Sequence, residues 1–246
     1  MADYDNRVLR GQTAVAGAID AGLRAHMLRV YNYMLIGLAL TGATAWLTAE
    51  TAFGELFYRV NPITHAMGLT LLGMIALFAP LGLVLFMSFR IDRMSVGAAQ
   101  ATFWAYAGLV GIGLAPILLV YTGASVAQVF FITAATFGAM SLWGYTTKAD
   151  LSGFGSFLFM GLIGIVIASL VNMFLHSAMM TFVISIIGVL VFTGLTAYDT
   201  QSIKESYVAS DDGTVAGRKA IFGALRLYLD FINLFVMLMQ LLGNRR

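Results

Sequence analysis

The sequence predicts an all-α integral membrane protein with seven transmembrane helices. Of its 246 residues, 60% are hydrophobic and only 11% are charged, whereas about 25% of the residues in a soluble domain are charged. Four long runs contain no Asp, Glu, Lys or Arg, over residues 30–49, 60–89, 94–147 and 151–198. These runs are continuously apolar, which is typical of membrane helices, while barrel strands alternate over about ten residues.

The length of each run predicts how many helices it holds. A helix needs about 20 apolar residues to cross the hydrocarbon core, so the two shorter runs hold one helix each. The two longer runs hold two each, with breaks at 121–125 and 176–178, and a last apolar segment ends near Leu242. The predicted helices are 29–49, 67–89, 98–120, 125–146, 154–175, 178–203 and 218–242.

The basic residues predict the orientation of these helices. We expect a polar or amphipathic cytoplasmic N-terminal segment over 1–28, a transmembrane domain over 29–243 and a tail over 244–246. With the N-terminus in the cytoplasm, most basic residues fall on the cytoplasmic side, as the positive-inside rule requires; they are Arg7, Arg10, Arg24, Arg29, Arg90, Arg93, Lys148, Lys204, Arg218 and Lys219. The exceptions are Arg59, Arg245 and Arg246, and a re-entrant last segment is the alternative that would return the terminal pair to the cytoplasm.

Several function classes are excluded by composition. The net charge of +2 provides no footprint for nucleic acid. The chain has no cysteine and three histidines, so thiolate chemistry and a zinc site are not expected. It contains no nucleotide-binding loop and no serine-nucleophile elbow. We therefore expect no enzyme activity and no cofactor beyond weakly bound calcium, and the lipid bilayer is the first predicted partner.

The candidate functional residues are the polar ones inside the predicted helices. An ionisable residue there costs about 2.5–3.5 kcal/mol on insertion scales, so each is a functional candidate. The set consists of Asp199, Asp230, Arg226, Arg90, Asn172 and Asn233. A short polar loop near 210–216 makes helices six and seven antiparallel neighbours. Counted from that loop, Asp199 and Asp230 differ in level by roughly 7 Å, so a carboxyl pair is compatible with the spacing.

Structural explanations for these residues remain open as well. Asp199 can reach cytoplasmic water, Arg226 can neutralise Asp230 from position i−4, and Arg90 can extend to the lipid headgroups. Asn172 and Asn233 are typical of interhelical hydrogen bonding. A carboxyl pair, by contrast, would titrate as a unit and would serve as a proton sensor, a hard-cation site or an acid–base dyad.

Four motifs resemble those of a known family. They are Leu-Tyr-Leu-Asp-Phe-Ile-Asn-Leu-Phe in the last helix, Ala-Tyr-Asp-Thr-Gln before the last loop, Val-Tyr-Thr-Gly-Ala-Ser between helices three and four, and Thr-Thr-Lys-Ala-Asp-Leu-Ser over 146–152. On these residues the chain resembles the Bax inhibitor-1 (TMBIM) family, in its bacterial YccA-like branch. The resemblance implies six helices wrapped around a central C-terminal helix, in the bacterial inner membrane.

The resemblance also implies a pH-sensitive calcium leak. Asp199 and Asp230 match a hydrogen-bonded aspartate sensor and weak calcium site, and Arg90 matches an arginine that latches to the first aspartate in the closed pore. Two positions depart from the family pattern: Arg226 stands where a small or uncharged residue is usual, and 67–89 has no carboxylate. One alternative is a non-conducting protein that modulates the FtsH protease. A more remote alternative is an intramembrane aspartyl protease, but such enzymes need a Gly-x-Gly-Asp element, and residues 227–230 are Leu-Tyr-Leu-Asp here.

Overall fold

The computed structural model contains seven long helices that agree closely with the predicted spans. It describes residues 2–60 and 67–246, with side chains for 21–59 and 68–246. Within this part of the chain, the helices long and apolar enough to cross a membrane number seven. They are α1 (Ala2–Glu50), α2 (Leu71–Arg90), α3 (Val96–Val120), α4 (Gly123–Thr146), α5 (Ser152–Leu175), α6 (Ala178–Glu205) and α7 (Gly213–Leu242).

Most helix starts follow a polar residue that caps the first turn. The side chains of five such residues accept hydrogen bonds from the first free N–H groups of α2, α3, α4, α6 and α7; these residues are Thr70, Ser95, Thr122, Ser177 and Asp212. The two breaks predicted inside the long apolar runs are confirmed by the starts of α4 and α6. They are turns of two residues, and His176 ends α5 in the left-handed conformation.

Three predicted boundaries were wrong. The seventh helix begins at Gly213 and not at 218, and Asp212 caps its first turn. The second helix begins at Leu71 and not at 67, because Met67–Leu69 forms a strand (β2) that pairs antiparallel with Tyr58–Val60 (β1). The Thr70 hydroxyl also bonds the Leu56 carbonyl at 2.5 Å, which ties the hairpin to the start of α2. The first helix begins at Ala2 and not at 29, and it is unbroken at residue 28. The side chains of Arg7 and Arg10 lie outside the described residues, and the division at residue 28 stays a prediction.

The C-terminal helix is the most buried of the seven. Of the 18 consecutive residues taken as its apolar stretch, 61% are buried, against 11% in α5 and 17% in α2. It packs against α1, α3, α4 and α6, while α2 packs mainly on α3 and α5 mainly on α6. This arrangement is compatible with a central seventh helix, with α2 and α5 joined to it through their neighbours.

The last helix spans the bundle completely and is not re-entrant. It runs without a break for 30 residues. Beyond its end, the Asn244 N–H donates to the Ser125 hydroxyl at 2.8 Å and the Arg246 N–H donates to the Val120 carbonyl at 3.0 Å. The tail therefore lies at the α3–α4 turn, on the side of the bundle opposite the α6–α7 loop.

The antiparallel register of α6 and α7 is constant along their length. The Lys219 ammonium bonds the Ser206 carbonyl at 2.9 Å near the loop, and the Ser185 hydroxyl bonds the Gln240 amide oxygen at 2.6 Å near the other end. In this register Asp199 lies opposite Arg226, and Asp230 lies one turn, about 6 Å, farther from the loop. That offset agrees with the level difference expected from the sequence.

Candidate functional site

An ion pair inside the bundle joins α6 to α7. Arg226 donates to both carboxylate oxygens of Asp199, from Nε to Oδ2 at 3.2 Å and from Nη2 to Oδ1. Its Nη1 donates to the Ser202 hydroxyl at 3.2 Å, and its Cζ lies 6.0 Å from the centre of the Tyr198 ring. Asp199 is only 8% exposed. A two-pronged guanidinium–carboxylate contact is strong and directional, so it fixes the level of α7 against α6.

Asp230 completes the group from one turn farther along α7. Its carboxyl group and that of Asp199 line the same cavity. Asp230 is 4% exposed, and its Oδ2 has no hydrogen-bond partner in the part of the chain that the structure describes. Two neighbouring carboxyl groups repel when both are ionised. With one shared proton the two aspartates and Arg226 sum to zero charge, and without it they sum to −1.

The residues around Asp199 each contact a different neighbour. Successive helix residues point about 100° apart, so consecutive side chains reach different neighbouring elements. Thr200 bonds the Ser141 hydroxyl of α4 at 2.9 Å. Gln201 accepts from the Leu151 N–H at 2.9 Å and donates to the Ala149 carbonyl at 2.8 Å. The Ala-Tyr-Asp-Thr-Gln segment is thus held by α4, α7 and the α4–α5 loop together.

Two glycines allow neighbouring helices to approach this segment closely. A side chain at Gly144 of α4 would meet the backbone of Ala197, and one at Gly155 of α5 would meet the ring of Tyr198. Close approach at small residues is the usual means of helix packing in lipid. Gly155 therefore lets α5 support the ring that lies beside Arg226.

A large cavity opens beside the ion pair. Its volume is about 1070 Å³, and its wall includes Asp199, Arg226, Asp230 and Asn233. It lies among α5, α6 and α7, with Leu81 of α2 at its edge, and along α5 it extends from Gly155 to Met173. That stretch of helix is about 27 Å long, close to the thickness of the hydrocarbon core. Most of the remaining wall is apolar, and Leu81, Phe159 and Met173 in it are 62%, 59% and 59% exposed, so the cavity also opens on the outer surface of the bundle.

The structure brings together four of the six predicted site residues. Asp199, Asp230, Arg226 and Asn233 line one cavity, where the Asn233 amide also donates to the Leu229 carbonyl at 2.8 Å. The predicted ion pair of Arg226 with Asp230 in its own helix is not observed, because the guanidinium turns to Asp199 of α6.

Asn172 and Arg90 lie elsewhere. The Asn172 amide bonds the Thr181 hydroxyl at 2.7 Å and the Ser177 N–H at 3.0 Å, which holds the α5–α6 turn together. Thr181 is about 27 Å along α6 from Asp199. Arg90 is exposed at the end of α2 and forms no ion pair within the described residues. Because Arg226 contacts both Asp199 oxygens, the Arg90 latch is not present in this structure and stays a prediction.

Ser202 was not among the predicted site residues, and it is the third partner of the Arg226 guanidinium. Its spacing of three residues from Asp199 places it on the same face of α6, and that spacing is the signal that identifies it. Acidic and histidine side chains do not form a metal-binding group of three or more anywhere in the described residues.

Together, the fold and this site define a multi-pass α-helical membrane protein with an aspartate pair and an arginine between its last two helices. The family model described as "Inhibitor of apoptosis-promoting Bax1" matches residues 23–246. The chain therefore belongs to the Bax inhibitor-1 family, as its motifs predicted.

Three bacterial relatives support this assignment. The uncharacterized protein RP147 of Rickettsia prowazekii (strain Madrid E) is 48% identical over the full length of both chains. The inner membrane protein YbhL of Escherichia coli (strain K12) is 47% identical over 92% of this chain and 94% of its own. The uncharacterized membrane protein SpyM3_0260 of Streptococcus pyogenes serotype M3 is 38% identical, with coverage of 92% and 95%.

Proposed function

We propose that this protein is a pH-sensitive calcium leak of the bacterial inner membrane, with its N-terminus in the cytoplasm and with Asp199 and Asp230 as the proton sensor. The observation that supports it most directly is the presence of two buried carboxyl groups in the wall of a cavity as long as the bilayer core is thick. The relative YbhL is named as an inner membrane protein, which supports the location.

Protonation changes both the charge and the contacts of this site. With both aspartates ionised the group of three bears a charge of −1 and attracts cations into the cavity. A proton on Asp199 weakens its contact with Arg226, because a hydrogen bond to a neutral carboxyl group is about half as strong as one to a carboxylate. Arg226, whose side chain is 30% exposed, is then free to turn within the cavity. In this proposal Arg226, and not Arg90, is the arginine that binds Asp199 in the closed pore.

The available ligands suit calcium in passage. Calcium prefers six to eight oxygen ligands, and the cavity offers two carboxylates and the Asn233 amide oxygen. A site with this few protein ligands and a nearby guanidinium binds weakly, and a conducting site must release its ion. The calcium ion is therefore a substrate of the protein and not a resident cofactor.

The direct test is calcium flux into proteoliposomes between about pH 6 and pH 8, the range in which cytoplasmic proton sensors respond. We expect wild-type flux to change with pH and Asp199→Asn to abolish that change, because the variant loses the carboxylate through which the proton acts on Arg226. Asp150→Asn is the matched control, since Asp150 is an exposed aspartate in the α4–α5 loop. The Arg90→Gln variant tests separately whether Arg90 contacts Asp199 in the closed pore.

An Asp199→Asn variant with wild-type flux and an unchanged pH profile would contradict the proposal. The alternative role as a modulator of FtsH would then gain support if removal of the N-terminal 25 residues abolished a pull-down with that protease. An aspartyl-protease dyad is disfavoured, because the two-pronged contact from Arg226 occupies both oxygens of Asp199.

A further inference from the structure

A second cavity lies between α1 and α4, apart from the carboxyl pair. Its volume is about 550 Å³, and its walls are largely apolar side chains of these two helices. Two of them, Leu28 and Leu142, are 53% and 62% exposed on the outer surface of the bundle. In a membrane-spanning protein that surface faces lipid, so the cavity is a groove open to the bilayer.

The polar groups at the floor of this groove are already satisfied. The Tyr31 hydroxyl bonds the Ser141 hydroxyl at 2.6 Å, and Ser141 bonds the Thr200 hydroxyl of α6 at 2.9 Å. A molecule in the groove therefore meets apolar surface along its length. The same chain of hydroxyl groups ends on the residue next to Asp199.

The mouth of the groove is basic. Arg24 lines it on α1, and Tyr145 lines it next to the end of α4. The Lys204 ammonium donates to the Tyr145 carbonyl at 2.9 Å and lies 5.9 Å from the centre of its ring. Aromatic and basic side chains at this position are typical of the headgroup level of a membrane.

The middle of the groove is open because Gly138 has no side chain. A Cβ atom there would meet nothing within 4 Å. From Phe137 to Tyr145 the α4 wall measures about 12 Å, which matches the upper part of an acyl chain below a headgroup.

We propose that this groove binds one phospholipid with an anionic headgroup, which contacts Arg24 while an acyl chain lies over Gly138. The apolar body selects a lipid chain, and the Arg24 cation at its mouth, with Lys204 beside Tyr145, selects a negative headgroup. The inference depends on the groove alone and is independent of the calcium-leak proposal.

The test is native mass spectrometry of the full-length protein in detergent, titrated with phosphatidylglycerol or with phosphatidylcholine of the same acyl chains. We expect the first phosphatidylglycerol to bind at least about fivefold more tightly, since each basic residue near an anionic headgroup contributes roughly this factor. Arg24→Gln should reduce that preference about fivefold. Gly138→Leu should weaken the binding of both lipids, because its side chain fills the groove.

Two variants serve as matched controls. Arg93→Gln removes an exposed basic residue in the α2–α3 connection, and Gly164→Leu adds the same side chain at an open glycine of α5. Both should bind the two lipids as the wild type does. Equal affinity of the wild type for the two lipids would overturn the proposal, as would indistinguishable binding by Gly138→Leu and Gly164→Leu.

Discussion

The helices α5 and α7 differ in a way opposite to that expected in a soluble protein. The 18-residue apolar stretch of α5 has a mean hydropathy of 2.4, and 11% of its residues are buried. The corresponding stretch of α7 has a mean hydropathy of 1.7, and 61% of its residues are buried. The more polar helix lies inside. It also contains Arg226 and Asp230, while α5 has no charged residue.

The physical reason is that lipid is as apolar as a leucine side chain. Burying an apolar helix against protein gains little over leaving it in lipid, whereas a charged side chain in lipid is costly. The charged residues Arg226 and Asp230 therefore favour a central position for α7 over one in contact with lipid. Inside the bundle, Arg226 of α7 pairs with Asp199, and the Tyr228 ring of α7 packs against α3.

Removing the central cation should have the largest effect on stability. In Arg226→Met the two buried aspartates lose their only positive partner among the described residues. We expect a loss of about 3–5 kcal/mol in the free energy of unfolding, measured from thermal unfolding in detergent. Adding Asp199→Asn to that variant should recover part of the loss. An unfolding midpoint equal to that of the wild type would show that the ion pair does not stabilise the bundle.

The two faces of α5 should respond differently to the same substitution. Gly155→Ala places a methyl group against the Tyr198 ring, and overpacking of this kind costs about 1–3 kcal/mol. Gly164→Ala meets open space and should gain up to about 1 kcal/mol from helix propensity. Thermal unfolding of both variants tests this, and equal midpoints would contradict the close α5–α6 contact.

A smaller effect is expected at the hydroxyl of Tyr228. This side chain is fully buried and bonds the Thr41 hydroxyl of α1 at 2.5 Å. Tyr228→Phe should cost about 1 kcal/mol of unfolding free energy. In a cycle with Thr41→Val, the double variant should lose less than the sum of the single variants. Full additivity would mean that the hydrogen bond contributes nothing.

The smallest effect should come from the lipid-facing surface of α5. Phe174 is 78% exposed, and Phe174→Ala should change the free energy of unfolding by no more than about 0.5 kcal/mol. The same truncation at Phe103, which is fully buried beside Tyr228, should cost about 3–5 kcal/mol. Similar losses at the two positions would refute the contrast between lipid-facing and central helices.

The breaks near 121 and 176 were found from charge-free runs, because an uninterrupted apolar run longer than the bilayer must turn. The α6–α7 connection was found from its polar residues, although α7 begins at Gly213 and not at 218. The β1–β2 hairpin was missed, since Met67–Leu69 of β2 is as apolar as the helix that follows. The unbroken start of α1 was also missed, because a polar helical segment has no hydropathy signal.

The charge pattern of this chain was enough to establish its class and its candidate residues, because charges inside a membrane are too costly to occur without a partner. It could also limit Asp199 and Asp230 to nearby levels, since a short loop makes α6 and α7 antiparallel. It left open whether Asp230 pairs with Arg226 or with Asp199, and it did not predict that Arg226 pairs with Asp199. That choice depends on the rotation of two helices about their own axes, which is set by contacts distant in sequence, such as Gly155 with Tyr198 and Ser141 with Thr200.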